Sequence, residues 1–251
     1  VILDVVDLNI LSISDPIISK GTEDEYDEYG NSYPCIINDG PKRLVFYTGW
    51  SFKSKNRFLN TLCSFEMANE DYKNKKTNIV IFGKNNQIIH EIGSVDIITG
   101  SSDEYFMYFT KFTKWNNGNP SYQISLAKSA NLETWKETGN FNFVNYPGFE
   151  QMLTCRPSLL FRSNKWWMFF CYRNLDQDYK IGLASSSNLH DWTLDNSNIF
   201  INVDLPNWCS FGQCYPHYVK TNNNKEILFF GGNSYGRDGF GYVHLNKLNL
   251  F

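Results

Sequence analysis

The stretch PSLLF-RSN-KWWMFFCYR, residues 157–173, holds an apolar run, a polar turn and a run of aromatic residues. Strand-forming runs joined by a short turn of this kind read as a β-hairpin. The pattern recurs as YPCII-NDG (33–40) with RLVFYTGW (43–50), VDIIT-GSSD (95–103) with EYFMYFTKF (104–112), and PHYVK-TNNN (216–224) with EILFFGGNS (226–234). Aligned on Tyr47, Phe109, Phe170 and Phe230, the copies stand 62, 61 and 60 residues apart. A third element follows in two gapless copies. Tyr122, Ile124, Leu126, Ala127, Ser129, Asn131, Leu132 and Trp135 match Tyr179, Ile181, Leu183, Ala184, Ser186, Asn188, Leu189 and Trp192. NTLCSFEM (60–67) and FGYVHLN (240–246) are weaker copies. Helical periodicity is nearly absent. Short strands repeated at a constant period read as blades around an axis, so the expected class is an all-β propeller, one domain over 1–251. A β-sandwich would have to produce the same gapless matches by chance.

The N-terminal VILDVVDL (1–8) is a strand with no hairpin of its own. One reading lets it complete the last blade and close a four-bladed ring. The other makes it the tail of an earlier blade lying before Val1, which the absence of an initiator Met favours.

The totals bound the function. With 42% hydrophobic and 17% aromatic residues, 251 residues supply a large core. Lys+Arg of 23 against Asp+Glu of 26 gives a net charge of −3, too weak a field for gripping nucleic acid. No apolar run approaches the length of a membrane span, and the N-terminus has no signal-peptide pattern, since Asp4 and Asp7 interrupt it. Six cysteines in so large a chain do not make a disulfide framework. Cys63, Cys155 and Cys171 read as small buried hydrophobes, and Cys209 with Cys214 lacks a second pair at zinc-site spacing. A reducing compartment is expected, and no metal or cofactor is implied.

These stretches resemble the five-bladed propellers of glycoside hydrolase families 32, 43, 62, 68 and 130, in particular the family 43-like proteins of bacterial polysaccharide gene clusters. The resemblance runs through YDEYGNSYPCII with FYTGW, EQMLTCRPSLL with CYRN, DYKIGLASSSNLHDW, and CYPHYV with GGNSYGRDGFGYV. It implies a five-bladed fold with most of one blade absent from this chain. It also implies a bacterial cytoplasmic protein that acts on a polysaccharide or its precursor in the central channel. Glycoside hydrolysis leads that reading. Phosphorolysis and carbohydrate binding without turnover are the alternatives.

In a propeller, the first strand of each blade lines the axis, so acids at strand starts converge as glycoside hydrolysis requires. Asp27 precedes the first inner strand, Asp96 opens VDIIT between apolar neighbours, and Glu150 stands six residues before Arg156. By resemblance these three fall near the family's base, pKa-modulating acid and general acid. The slot where family 43 carries Asp-Pro is Tyr33-Pro34 here, which leaves Asp27 displaced. A second departure is Trp208-Cys209-Ser210-Phe211, where relatives read Trp-Asp-Ser-Glu.

Six of the basic residues are Arg, and four of them, Arg57, Arg156, Arg173 and Arg237, stand beside the repeat motifs. Arg suits a site that must fork onto a carboxylate, a phosphate or sugar hydroxyls. Bracing blade acids is the competing role. Tyr215 and His217 are further contact candidates, and Trp50 and Trp115 are placed to stack on sugar faces. Trp135 and Trp192, in a repeated slot, read as packing residues.

Overall fold

The computed structural model describes residues 2–3, 10–12, 18–54, 57–67, 78–82, 87–88, 91–100, 104–116, 119–140, 143, 152–248 and 250–251. Each sequence hairpin forms the first two strands of its own sheet, antiparallel throughout except where Ile81–Phe82 joins the second sheet in parallel. The first sheet runs Gly30–Asp39, Lys42–Ser54, Arg57–Glu66 and Asn78–Ile79. The second runs Ile92–Thr99, Tyr105–Asn116, Asn119–Ser129 and Thr134–Asn140, with the short strands Ile81–Phe82 and Gln87–Ile88 added at its outer edge. The third runs Leu153–Arg162, Lys165–Arg173, Lys180–Ser186 and Thr193–Asn196. The fourth has three strands, Cys214–Lys220, Glu226–Gly231 and Phe240–His244.

Both faces of the aromatic strands are buried, and alternation sends neighbouring residues to opposite sides. Phe46 of the first sheet packs with Met107, Phe109 and Trp135 of the second. Tyr108 and Leu126 of the second pack with Met168, Phe170 and Trp192 of the third. Phe169 and Leu183 of the third pack with Leu228 and Phe230 of the fourth. The sheets therefore stack face to face in chain order, and successive inner strands, Gly30–Asp39, Ile92–Thr99, Leu153–Arg162 and Cys214–Lys220, lie beside one another.

The gapless repeat has a local cause. Ser129 Oγ accepts the Asn131 and Leu132 amides, and Asn131 Oδ1 accepts those of Glu133 and Thr134. Ser186 and Asn188 do the same for Asn188, Leu189, His190 and Asp191. Such side-chain-to-backbone bonds close a turn without a ladder, and they deliver Trp135 and Trp192 into their inter-sheet cores at 1% and 0% exposure.

The N-terminal strand departs from one expectation. Ile2–Leu3 pairs antiparallel with Ile10–Ser12 in a two-stranded ribbon, and the fourth sheet keeps its three strands. Among the described residues, Ile2–Leu3 thus takes its partner from nearby chain, at small loop-closure cost, and adds no strand to the fourth sheet.

Candidate functional site

The inner strands share an irregularity. The pairing register shifts between Ser32 and Cys35, between Cys155 and Ser158, and between Cys214 and His217. At the centre of each shift stands an X-Pro pair: Tyr33-Pro34, Arg156-Pro157 and Tyr215-Pro216. Proline removes a ladder donor and is tolerated in strands at edges and bulges. The residue before it adopts left-handed backbone in all three, with φ of 59° at Tyr33, 57° at Arg156 and 57° at Tyr215. For non-glycine residues this conformation is costly and concentrates at functional sites. In the second sheet the equivalent pair is Ser94-Val95, which has no proline and is not among the left-handed residues.

The three bulged side chains converge. Tyr33, Arg156 and Tyr215 line a cleft of about 210 Å³, together with Trp50 and Asn60 of the first sheet, Ser94, Thr110 and Tyr122 of the second, Cys155, Arg173 and Tyr179 of the third, and Tyr235 after the fourth sheet's second strand. An adjoining cavity of about 270 Å³ adds the three prolines and His217. The Arg156 guanidinium lies 3.1 Å from the Tyr33 ring centre and 4.5 Å from that of Tyr215, and Thr110 Oγ1 accepts its backbone amide at 3.2 Å. Arg173 donates from Nε to the Tyr122 hydroxyl at 3.1 Å and from Nη1 to that of Tyr235 at 2.6 Å. The Tyr122 and Tyr179 hydroxyls bond each other. Trp50 Nε1 donates to Ser32 Oγ at 2.6 Å, fixing the indole at the rim. Asn60, 4% exposed, has its side-chain oxygen buried without a hydrogen-bond partner among the described residues.

The electrostatics follow from burial. Loss of hydration pushes the Tyr122, Tyr179 and Tyr215 hydroxyls above the usual phenol range, so they stay protonated. Burial raises the Cys155 thiol too, but a hydrogen bond with Cys171, the Arg156 charge, Tyr179 and the Arg173 charge outweigh it and leave its pKa below the ordinary value.

Neither of the expected acids among the described residues lines this cleft. Asp27 is fully buried, and Tyr47 donates to its Oδ2 at 2.8 Å. Tyr47 packs with Val45 and Phe65 on the side of the first sheet opposite Phe46, so Asp27 stands behind that sheet and lines neither cavity. Asp96 lies next to Val95 of the adjoining cavity but turns to its neighbours. Its Oδ2 accepts the Leu159 amide at 2.6 Å, and the Cys35 thiol lies 3.8 Å from Oδ1. Ser158 repeats this one sheet on, accepting the Tyr218 amide at 2.9 Å. Burial raises the Asp96 pKa from 3.8 to about 7, against the opposing hydrogen bonds from Leu159, Ile97 and Cys35. Glu150 lies outside the described residues, as do the side chains of Arg57 and Trp115.

Of the other candidates, Trp50, Arg156, Arg173 and Tyr215 share the cleft, and His217 lines the adjoining cavity. Arg237 is exposed and lines neither. The sequence reading missed Tyr33, Asn60, Tyr122, Tyr179 and Tyr235 as site residues. The signal for Tyr122 and Tyr179 was present, since both are the first matched residue of the gapless repeat.

The fold is shared with a class of solved structures. Solved structures that share the fold are propeller glycoside hydrolases and phosphorylases of families 43, 32 and 130. A thermostable family-43 glycoside hydrolase superposes with a TM-score of 0.61 at 14% identity, over 84% of this chain and 70% of that one. A structure from the family 130 mannoside phosphorylases, described as containing glycoside hydrolases that target β-1,2 mannosidic linkages in Candida mannan, has a TM-score of 0.59 at 17% identity, over 85% and 65%. In sequence, the chain is 25% identical over 237 residues to an uncharacterized protein of Mycobacterium tuberculosis (strain CDC 1551 / Oshkosh), covering 93% of this chain and 77% of that protein. No family model matches the chain. Among the described residues, no helix is long and apolar enough to cross a membrane.

Proposed function

We propose that this chain is a carbohydrate-active propeller domain, five-bladed when complete, which holds a saccharide in its axial cleft. One observation carries the reading. Three sheets each place a left-handed, pre-proline residue at the same point of their inner strand, and all three side chains aim at one cleft. Strain repeated at one locus is expected where a ligand is held. The lining has what a sugar needs: the rings of Trp50 and Phe112 for its apolar side, and the buried Asn60 amide and two guanidinium groups for its hydroxyls. The fifth blade is supported by the order of the cores. Hydrophobic clusters join the first sheet to the second, the second to the third and the third to the fourth. On the fourth sheet's other side Phe240 and Tyr242 are exposed, at 68% and 44%, where a further sheet would cover them. The six free, buried cysteines fit a reducing compartment such as the bacterial cytoplasm.

Bond cleavage is the second reading, favoured by one feature. Asp96, on an inner strand, has a carboxyl whose pKa of about 7 leaves it partly protonated near neutrality, as a proton donor requires. In that reading Glu150 supplies the second carboxyl. If it does, the acids come from different sheets and should stand roughly 6.5–9.5 Å apart, the inverting arrangement.

The test is a panel of oligosaccharides assayed for binding by titration calorimetry and for turnover with and without phosphate. Binding that is lost in Trp50→Ala supports the saccharide reading, and failure to bind any glycan contradicts it. Release of reducing ends that stops in Asp96→Asn establishes hydrolysis, and a requirement for phosphate establishes phosphorolysis.

A further inference from the structure

We propose that the axial cleft takes an acidic glycan, a saccharide bearing a carboxylate, phosphate or sulfate group, with that group held by Arg156 and Arg173. The inference rests on the saccharide reading above and adds the charge of the ligand.

The first argument compares the protein's own cations. Three strand-borne cations have carboxylate partners: Lys111 with Glu137 at 2.7 Å, Lys128 with Glu104 at 3.1 Å, and Arg162 with Glu226 at 2.8 Å. The last of these joins the third sheet to the fourth, which is how an arginine braces blades. Arg156 and Arg173 are different. They sit in the cleft, and among the described residues no carboxylate contacts either one. Their partners are phenols, Tyr33 and Tyr215 for Arg156, and Tyr122 and Tyr235 for Arg173. A guanidinium withdrawn from water without a counter-charge is costly, and an anionic ligand removes that cost.

The cleft lining supplies no carboxylate to Arg156 or Arg173. Buried phenols remain protonated, and Cys155 offsets charge only in its thiolate form. Asp176 and Asp178 line an adjoining open pocket together with Arg173, Lys180 and Tyr235, and among the described residues no ion pair joins either of them to Arg173. The chain as a whole carries a net charge of −3, so attraction for an anion in the cleft has to come from Arg156 and Arg173, the cations that line it.

Geometry favours a forked acceptor. The Arg156 guanidinium lies over the Tyr33 and Tyr215 rings, and among the described residues no carboxylate takes its N–H groups. Arg173 is held by Nε and Nη1, which leaves Nη2. Carboxylate, phosphate and sulfate oxygens match such donors in pairs, whereas a sugar hydroxyl offers one acceptor at a time. The cleft and its adjoining cavity, about 210 and 270 Å³, exceed the needs of a bare anion. The indole of Trp50 and the ring of Phe112 supply apolar surface that such an anion would not use.

The experiment pairs each acidic probe with a neutral counterpart: trigalacturonate with its methyl ester, a sugar phosphate with the free sugar, a sulfated amino sugar with its unsulfated form, and inorganic phosphate alone. Binding is measured by calorimetry on the full chain, at two salt concentrations, for wild type, Arg173→Gln and Arg156→Lys. The proposal expects at least one acidic probe to bind about tenfold or more tightly than its neutral partner, with that margin lost in Arg173→Gln. Arg173 is on the cleft rim and half-buried, so its variant is expected to fold, and its thermal unfolding is checked alongside. Equal binding of acidic and neutral probes overturns the acidic-ligand inference and leaves the saccharide reading standing. Binding of inorganic phosphate as tight as that of the sugar phosphate overturns both, because the sugar then contributes nothing. No binding of any probe also overturns both.

Discussion

Replacing Asp96 with Asn should alter how stability depends on pH more than it alters stability itself. The Asp96 carboxyl accepts the Leu159 amide across the gap between the second and third inner strands, in surroundings that raise its pKa from 3.8 to about 7 through loss of hydration. A raised carboxyl pKa means that the folded state holds a proton the unfolded state has released. Stability from this group is therefore fully present below pH 3.8 and is lost as pH rises to about 7. Each pKa unit corresponds to about 1.4 kcal/mol, so about three units set an upper bound of about 4 kcal/mol. Asp96 is half-buried by its exposure, and solvent screening reduces the expected loss to about 2 kcal/mol. The Asp96→Asn variant keeps an oxygen for the Leu159 amide and carries no charge. Urea unfolding at about pH 4 and about pH 8 should show the wild type losing about 2 kcal/mol more than the variant over that window. A wild type that gains stability over the same window relative to the variant would refute the reasoning. It would mean that the Leu159 amide and its neighbours stabilise the carboxylate more than burial opposes it.

Arg156→Lys should weaken ligand binding by about tenfold although the charge is kept, because the ammonium has neither the planar fork nor the stacking face that Tyr33 and Tyr215 require; calorimetry showing unchanged affinity would count against this. Trp192→Ala should cost about 3–5 kcal/mol in urea unfolding, since the indole is wholly buried between the second and third sheets and bonds the Tyr108 hydroxyl; a loss below about 1 kcal/mol would mean the inter-sheet packing is misplaced. Cys155 should be alkylated at lower pH than Cys171, Cys209 or Cys214, whose thiols burial raises. Mass spectrometry of the folded protein across a pH series reads this directly, and modification of Cys209 before Cys155 would contradict the assignment.

The fold was legible because its information is local. The Ser-x-Asn-Leu turn and its tryptophan are set by hydrogen bonds within six residues, so they recur as gapless sequence. The aromatic hairpins were legible for a similar reason, since both faces of each strand are buried and admit few polar residues. The site was less legible because it is assembled across sheets. Nothing near Tyr33 announces that Arg156, 123 residues away, will stack on its ring. The X-Pro pairs were visible in YPCII, RPSLL and YPHYV, but the left-handed backbone they share is a tertiary outcome that residue type alone does not dictate. Asp27 shows the converse difficulty. In sequence it belongs to an acidic, surface-like run, and in the structure it is buried against Tyr47 behind the first sheet. Asp96 stands within an apolar strand, as its sequence neighbours indicate. Its hydrogen bond to the next inner strand supplies a structural reason for its position, independent of any part in catalysis.

The central claim is that a saccharide occupies the axial cleft, and a crystal structure with the tightest-binding oligosaccharide of the panel tests it most directly. The account predicts sugar density against Tyr33, Arg156 and Tyr215, with a sugar hydroxyl donating to the Asn60 side-chain oxygen. Sugar bound on an outer rim, with the cleft holding only solvent, would contradict it.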